Sequence, residues 1–152
     1  MVAPLRGLAF RGVVWYQGES NYNEASRYAC LFPQMISAWR RHFSLPNLTF
    51  LFVQVSTWLN AFIPISQIRT AQLSALQLNN TGVAYAYDIG DIASPYNNIH
   101  PRNKQTLGAR LSSVANSIAY GQPGNTDHMY YKKKKKQTVS THSTTQAVNI
   151  VL

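Results

Sequence analysis

The chain has 152 residues, 45% of them hydrophobic, and a formal net charge of +9, which is typical of one globular domain. No run of about 18 apolar residues occurs, which excludes a membrane-spanning helix. Five of the 14 basic residues form the run 132–136, so the charge does not describe a basic folded face, and we expect no nucleic-acid or membrane partner.

Three short segments rich in β-branched and aromatic residues are predicted to be strands. They cover residues 12–17, 48–56 and 82–88, and the first two are nearly continuous apolar runs. Such runs are typical of strands that are buried on both faces of a parallel sheet. We therefore expect a sheet that is covered by helices on each side.

A helix is predicted after each strand. Apolar residues at spacings of three and four predict helices over about 23–43, 65–78 and 101–120. Pro33 should bend the first helix or split off its first turn, and Cys30, the single cysteine, should be a small core residue within it. Three strand-helix pairs in sequence predict an α/β fold with a parallel sheet and right-handed crossovers.

The chain changes character after Gly121. Residues 122–152 show no helical or strand period apart from a short apolar end, and they combine the lysine run with polar residues. This composition is typical of disorder. We therefore assign residues 1–121 to one folded domain and residues 122–152 to a disordered, lysine-rich tail.

Polar residues follow each predicted strand. They belong to the segments "QGESN" (17–21), "STWLNAF" (56–62) and "DIGDIASPYNNIHP" (88–101). Ligand sites of open α/β sheets lie beyond the carboxyl ends of the strands, so these segments should meet at one edge. His100, in the third segment, is a candidate general base because an imidazole can take and return a proton near neutral pH, although it could also be a hydrogen-bonded loop histidine.

Ser20 is a candidate nucleophile. A Gly-x-Ser between a strand and a helix resembles the nucleophile elbow of hydrolases, but Tyr22 stands where that motif has its second glycine. The residues alone therefore leave open whether Ser20 works with His100.

Several motifs in this chain resemble sialate O-acetylesterases, members of the SGNH hydrolase superfamily. They are "GVVWYQGESNYN", "FPQMISAWRRHF", "FLFVQVS", "IRTAQ" and "DIGDIASPYNNIHPRNKQTLGARL", and they cover about residues 12–121. The resemblance implies a flavodoxin-like three-layer α/β/α domain that removes O-acetyl groups from sialic acids or related acetylated sugars. The reacting groups it implies are a serine and a histidine, so we expect no metal and no cofactor.

The resemblance also implies roles for residues 17–21. In this family the nucleophilic serine lies upstream of the first strand predicted here, so Ser20 is not the nucleophile and the chain is expected to be an N-terminally truncated, impaired enzyme. The segment then corresponds to the block that binds the oxyanion. Gln17 and Asn21 supply side-chain donors, Gly18 permits close backbone approach, and Glu19 braces the turn.

His100 matches the catalytic histidine of the same family. Many SGNH enzymes place an aspartate three residues before it, where this chain has Asn97, which cannot carry the charge that stabilises an imidazolium. Asp88 or Asp91 could support the histidine instead, and we favour Asp91. Arg102 and Lys104, which follow the histidine, could meet a substrate carboxylate, although Lys104 in the first turn of a helix could instead be solvated.

Two sequons agree with the secreted or lysosomal location that the resemblance implies. They begin at Asn47 and Asn79. The N-terminus, however, does not resemble a signal peptide. Two other functions stay open from the sequence: a non-catalytic carbohydrate-binding fragment, and a complete esterase that uses Ser20 with His100.

Overall fold

The computed structural model describes residues 3–59, 65–123 and 129–132, the last of these as backbone alone. The elements follow one another as β1 (Gly12–Trp15), α1 (Ala25–His42), β2 (Thr49–Gln54), α2 (Ile65–Gln72), β3 (Thr81–Tyr85), α3 (Lys104–Ala119) and β4 (Met129–Lys132). The predicted order of three strands, each followed by a helix, is confirmed. Each of these elements is shorter than predicted.

The sheet has the strand order β1-β2-β3-β4. The first three strands pair in parallel, and β4 pairs antiparallel with β3. The sequence analysis did not predict β4, although Tyr130 and Tyr131 are of a type that strands favour. The disorder predicted for the rest of the tail stays a prediction, since residues 124–128 and 133–152 lie outside the described residues.

The side chains of β2 alternate between two helical layers. Phe50 and Phe52 pack in a core with residues of α1 and α2, whereas Leu51 and Val53 pack against residues of α3. All four are at most 3% exposed. Complete burial of such a side chain stabilises the fold by about 1.5–3 kcal/mol, so the predicted α/β/α layering has its centre in this strand.

β1 is not buried on both faces as predicted. Val13 and Trp15 pack on the core beneath α1, but Val14, on the opposite face, is 62% exposed. β1 is the outermost strand of the described sheet, and α3 covers the strands beside it instead. The apolar run predicted the strand correctly but could not show that one of its faces is uncovered.

Helix α1 bears on two expectations. It runs without a break through Pro33, so its first turn is not split off, and the alternative, a bend at Pro33, stays a prediction. Cys30 is exposed rather than part of the core, because the buried stripe of the helix contains Tyr28 and Phe32, on either side of it in the sequence. Residues that follow each other by two on a helix point in nearly opposite directions.

The other two helices differ from prediction at their ends. α2 continues into a 3₁₀ turn, Leu73–Gln77, so the predicted helical segment has two geometries. α3 begins at Lys104 instead of residue 101, and the Asn103 side chain caps it by accepting a hydrogen bond from the backbone N–H of Thr106 at 3.2 Å. Within the described part of the chain, none of the helices has the length and apolar character needed to cross a membrane.

Candidate functional site

The carboxyl ends of β1, β2 and β3 lie at one edge of the sheet because the three strands are parallel. We call the segments that follow them the first loop (residues 16–24), the second loop (55–59) and the third loop (86–103). As predicted, the described parts of the three polar segments are at this edge, while residues 60–62 of the second lie outside the described residues.

Contacts between neighbouring loops hold the edge together. The ring of Tyr22 in the first loop meets the ring of Trp58 in the second, with centroids 5.4 Å apart. The backbone N–H of Leu59 donates to the Asn98 side chain of the third loop at 3.4 Å. Gly90 of the third loop lies so close to the second that an added Cβ would be 2.3 Å from Thr57 Oγ1.

The side chain of Gln17 orients Asn21. Gln17 Oε1 accepts from the hydroxyl of Tyr28 at 3.1 Å, and Gln17 Nε2 donates to Asn21 Oδ1 at 2.6 Å. The carbonyl of Asn21 is therefore occupied, while its Nδ2 group makes no hydrogen bond among the residues that the structure describes. Of the two predicted donors, Asn21 keeps both N–H groups of its side chain uncommitted among the described residues, whereas Gln17 has used one of its two.

The turn of the first loop is closed by its backbone. The N–H of Asn21 donates to the carbonyl of Gly18 at 2.9 Å, within the 3₁₀ turn Glu19–Asn21. The carboxylate of Glu19 makes no hydrogen bond within the described residues, so the bracing role predicted for this residue is not observed. Peptide groups close the turn without it.

Gly18 permits the close packing that was expected of it. It is buried, has a φ of 146°, and an added Cβ would be 3.0 Å from Gln72 Nε2 and 3.3 Å from Val55 Cγ1. A side chain at this position would be strained by the backbone conformation and by both neighbours.

Gln72 is the residue of this edge that sequence reasoning missed. Its side chain is fully buried and bonds to the first loop, to β2 and to the second loop. A signal was present, because Gln72 follows Ile68 by four residues and so lies on the apolar stripe of α2. An amide on such a stripe requires partners in the core.

His100 is exposed in the third loop and is held by its backbone. Its N–H donates to the carbonyl of Asn97 at 2.9 Å, and its carbonyl accepts from Ser94 Oγ at 2.7 Å. Asn97 has a φ of 77°, a conformation that asparagine tolerates better than most residues. The imidazole makes no hydrogen bond with any described residue, so it is available to an external group.

Asp91 is paired with Arg102 rather than with His100. Arg102 donates to the Asp91 carboxylate through Nε at 2.6 Å, Nη2 at 3.0 Å and its backbone N–H at 3.2 Å. These hydrogen bonds hold the pKa of Asp91 below its ordinary value of 3.8. Asp88 accepts in the same way from Arg110, at 2.7 and 2.6 Å. Direct support of His100 by Asp91 stays a prediction.

Ser20 and His100 are at the same edge but do not meet. Ser20 is exposed, and its hydroxyl makes no hydrogen bond among the described residues. Gln17 and Asn21 line a cleft of about 340 Å³, whereas His100 lines another of about 390 Å³ with Tyr96 and Arg102 among its other walls. The predicted donors and the predicted base therefore line two different clefts at this edge.

Tyr16 and Lys104 connect the first loop to the start of α3. The Lys104 ammonium is 4.6 Å from the centroid of the Tyr16 ring, and its Nζ is 3.4 Å from the phenol oxygen. Burial raises the pKa of Tyr16 to about 12, and the charge of Glu19 adds to the shift. Lys104 has no carboxylate partner in the described part of the chain, unlike Arg102 and Arg110 nearby.

No group of three or more histidine, cysteine, aspartate or glutamate side chains suited to hold a metal ion occurs within residues 3–59 and 65–123.

A family model described as "Carbohydrate esterase, sialic acid-specific acetylesterase" matches residues 2–117. The chain is 39% identical over 139 residues to a sialate O-acetylesterase of Rattus norvegicus. This alignment covers 80% of this chain and 26% of that protein. The chain is 37% identical over 139 residues to the protein of that name from Homo sapiens, with 80% and 27% covered. The chain thus spans about a quarter of the length of these curated relatives.

Solved structures agree with this relationship. A carbohydrate acetylesterase from Xanthomonas citri matches with a TM-score of 0.72 at 36% identity, over 78% of this chain and 28% of that one. A protein from Arabidopsis thaliana matches with a TM-score of 0.59 at 23% identity, over 74% and 47% of the two chains, and shows the fold alone.

Proposed function

The chain belongs to the family of sialic acid-specific acetylesterases among the carbohydrate esterases, and we propose that it forms part of a site that removes O-acetyl groups from sialic acids or related acetylated sugars. One observation carries this proposal. An uncommitted amide donor, on Asn21, and an unpaired imidazole, on His100, lie at the same edge of the sheet.

Each group has a role in ester hydrolysis. His100 takes the proton from the attacking serine hydroxyl and returns it to the sugar oxygen as that oxygen leaves. Asn21 Nδ2 donates to the oxyanion of the tetrahedral intermediate, and loss of one such donor typically costs about 10²–10³ in kcat. The acetyl-enzyme is then hydrolysed by water with the same two groups.

We propose that the nucleophile is not Ser20 but a serine outside residues 1–152. Two observations support this part of the proposal. Ser20 is exposed and makes no hydrogen bond to His100, and the chain corresponds to about a quarter of its relatives. On its own, this 152-residue chain should therefore have little esterase activity.

Lys104 supports an acidic sugar as the substrate. Lys104 lines the same cleft as His100 and has no carboxylate partner among the described residues, whereas Arg102 is already paired with Asp91. A carboxylate on the sugar would supply the missing counter-charge beside the scissile ester.

Hydrolysis of 4-nitrophenyl acetate tests the assignment of the nucleophile. We expect the folded chain to show no rate above that of the Ser20→Ala and His100→Ala variants. A wild-type rate that is lost in both variants would make the chain a complete esterase that uses Ser20. Saturable binding of an acetylated sialoside without turnover, even when joined to the rest of a relative, would favour a carbohydrate-binding role instead.

We further propose that the protein acts in a secreted or lysosomal compartment and carries N-glycans. Asn47 and Asn79 are exposed, and each lies just before a strand, at the end of the sheet opposite the site. Glycans there would leave the site open. The test is expression in secretory cells followed by enzymatic deglycosylation. This treatment should lower the apparent mass of the wild type and leave that of an Asn47→Gln, Asn79→Gln double variant unchanged.

A further inference from the structure

We propose that Gln72 is a positioning residue of this site: it fixes the peptide between Gln17 and Gly18 and thereby the direction of the Asn21 amide. The inference rests on the proposed function, since it assumes that the first loop binds the oxyanion. It assigns to a buried helical side chain a role in the geometry of a loop 55 positions away in the sequence.

The carboxamide of Gln72 makes three hydrogen bonds and uses both of its donors. Nε2 donates to the carbonyl of Gln17 at 2.9 Å and to the carbonyl of Val53 at 3.0 Å, while Oε1 accepts from the N–H of Val55 at 3.0 Å. The side chain is 0% exposed, so water cannot replace these bonds. A side chain without a donor would leave the carbonyls of Gln17 and Val53 without this partner.

The bonds are made where the sheet ends. β1 stops at Trp15 and β2 at Gln54, so the backbone groups of Gln17 and Val55 lie beyond the ladder between the two strands. Gln72 joins these groups in place of ladder hydrogen bonds. Gly18 lies beside this amide, and a Cβ added to Gly18 would be only 3.0 Å from Gln72 Nε2.

The chain of contacts from Gln72 leads directly to the proposed oxyanion donor. Gln72 fixes the backbone of Gln17, the Gln17 side chain donates to Asn21 Oδ1, and Asn21 Nδ2 is then left facing away from this bond. A displacement of the Gln17 carbonyl therefore changes the direction of the donor without removing any atom of the site.

Amide NMR of the full chain tests the proposal without requiring turnover. In Gln72→Met, which keeps the length of the side chain but has no donors, we expect the amide signals of residues 18–21 to move. The Val55 amide should exchange about tenfold faster, as for loss of one hydrogen bond of ordinary net strength. The signals of α3 should stay in place.

Gln54 offers a matched control. It is 7% exposed and makes a single side-chain hydrogen bond, from Nε2 to the carbonyl of Arg69 at 3.1 Å, away from the first loop. Gln54→Met should leave the signals of residues 18–21 unchanged. Equal displacement of those signals in both variants, or no displacement in Gln72→Met, overturns the proposal.

Gln72→Glu keeps the proposal testable if the methionine variant does not fold. At low pH the introduced carboxyl is neutral, so it can donate to Gln17 and accept from Val55, and the loop signals should match the wild type. Once it ionises, it has no donor and faces two carbonyls, so the signals should move. Glu19 and Tyr28 are the ionisable groups nearby, and the wild type titrated in parallel accounts for them. Loop signals without this extra pH dependence overturn the proposal.

Failure of the proposed function has a different signature. In a chain joined to the rest of a relative, turnover would then not depend on His100. The amide signals of residues 18–21 would still move in Gln72→Met. Where turnover is measured, Gln72→Met should lower kcat about 100-fold and leave KM within about twofold, because an oxyanion donor acts in the transition state.

Discussion

The first and third loops are held in contrasting ways. In the first loop, Gln17 and Gly18 are fixed from below by the buried amide of Gln72 and by the hydroxyl of Tyr28. In the third loop, the side-chain ion pair next to His100 among the described residues is that of Asp91 with Arg102, at the surface. The proposed oxyanion donor thus lies on a buried, hydrogen-bonded support, and the proposed base lies on an exposed one.

This difference matches what each group has to do. An oxyanion donor is effective when it is aligned before charge develops, because no energy is then spent on reorientation during the reaction. A histidine that passes a proton from a serine to a leaving oxygen must serve two partners in turn. We therefore expect changes to the first loop to have larger effects on stability than changes to the third.

The largest effect is expected from Gly18→Ala. The φ of 146° and the approach of Gln72 and Val55 leave no room for a methyl group, so the variant should lose about 1–3 kcal/mol of stability to denaturant unfolding. Gly108, inside α3, has no atom within 4 Å of an added Cβ. Gly108→Ala should therefore gain up to about 1 kcal/mol, and a similar loss in both variants would contradict this account.

A smaller effect is expected from Gly90→Ala in the third loop. The added methyl would meet the terminal Oγ1 of Thr57, a side chain that can rotate away, and we expect a loss of about 1 kcal/mol. Thr57→Ala should restore most of it in the double variant, because the clash is then removed. The free energy of unfolding of the two single variants and the double variant is measured. Additive losses would show that Gly90 and Thr57 are not in close contact.

A pH-dependent effect is expected from the Asp91–Arg102 pair. Because the pair lowers the pKa of Asp91, its stabilisation of the third loop is present above pH 3.8 and is lost as the pH falls through the lowered pKa of the folded protein. In the wild type, amide exchange at His100 should therefore accelerate in that acidic range. Asp91→Asn should lack this step, and an identical profile in the two proteins would show that the pair does not hold the loop.

The smallest effect concerns Tyr16. Its pKa of about 12 means that the phenol stays neutral until well above the ordinary value of 10.0. Since the folded protein holds this proton more tightly, the corresponding stability is present below pH 10 and is lost as the pH rises through about 12. The tyrosinate absorbance of the wild type minus that of Tyr16→Phe should show this late titration, and a difference centred near pH 10 would contradict it.

The sequence was sufficient to predict the order of the first three strands and the helices. The spacing of apolar residues within one element shows whether that element is a strand or a helix and which of its faces is apolar. It predicted β2 and the convergence of the polar segments for this reason. It could not show that Val14 is uncovered, because exposure of a strand depends on which neighbour lies beside it. The aromatic pair of β4 was hidden beside a lysine run that dominates the local composition.

The site was predicted in part. The family resemblance implied that the backbone at Gly18 is closely approached, and the structure shows close neighbours there. The role of Gln72 depends on a hydrogen bond to Gln17, which is distant in the sequence. The pairing of Asp91 with Arg102 is one of several pairings that the charged residues nearby allow. Neither leaves a local pattern, so these required the structure.

A chimeric enzyme tests the central claim most directly. Residues 2–117 would replace the matching region of the sialate O-acetylesterase of Rattus norvegicus, and release of acetate from an O-acetylated sialic acid would be measured. We predict turnover that falls by several orders of magnitude in His100→Ala, by about 10²–10³ in Asn21→Ala, and not at all in Ser20→Ala. Turnover that survives His100→Ala, or that Ser20→Ala abolishes, would contradict this account.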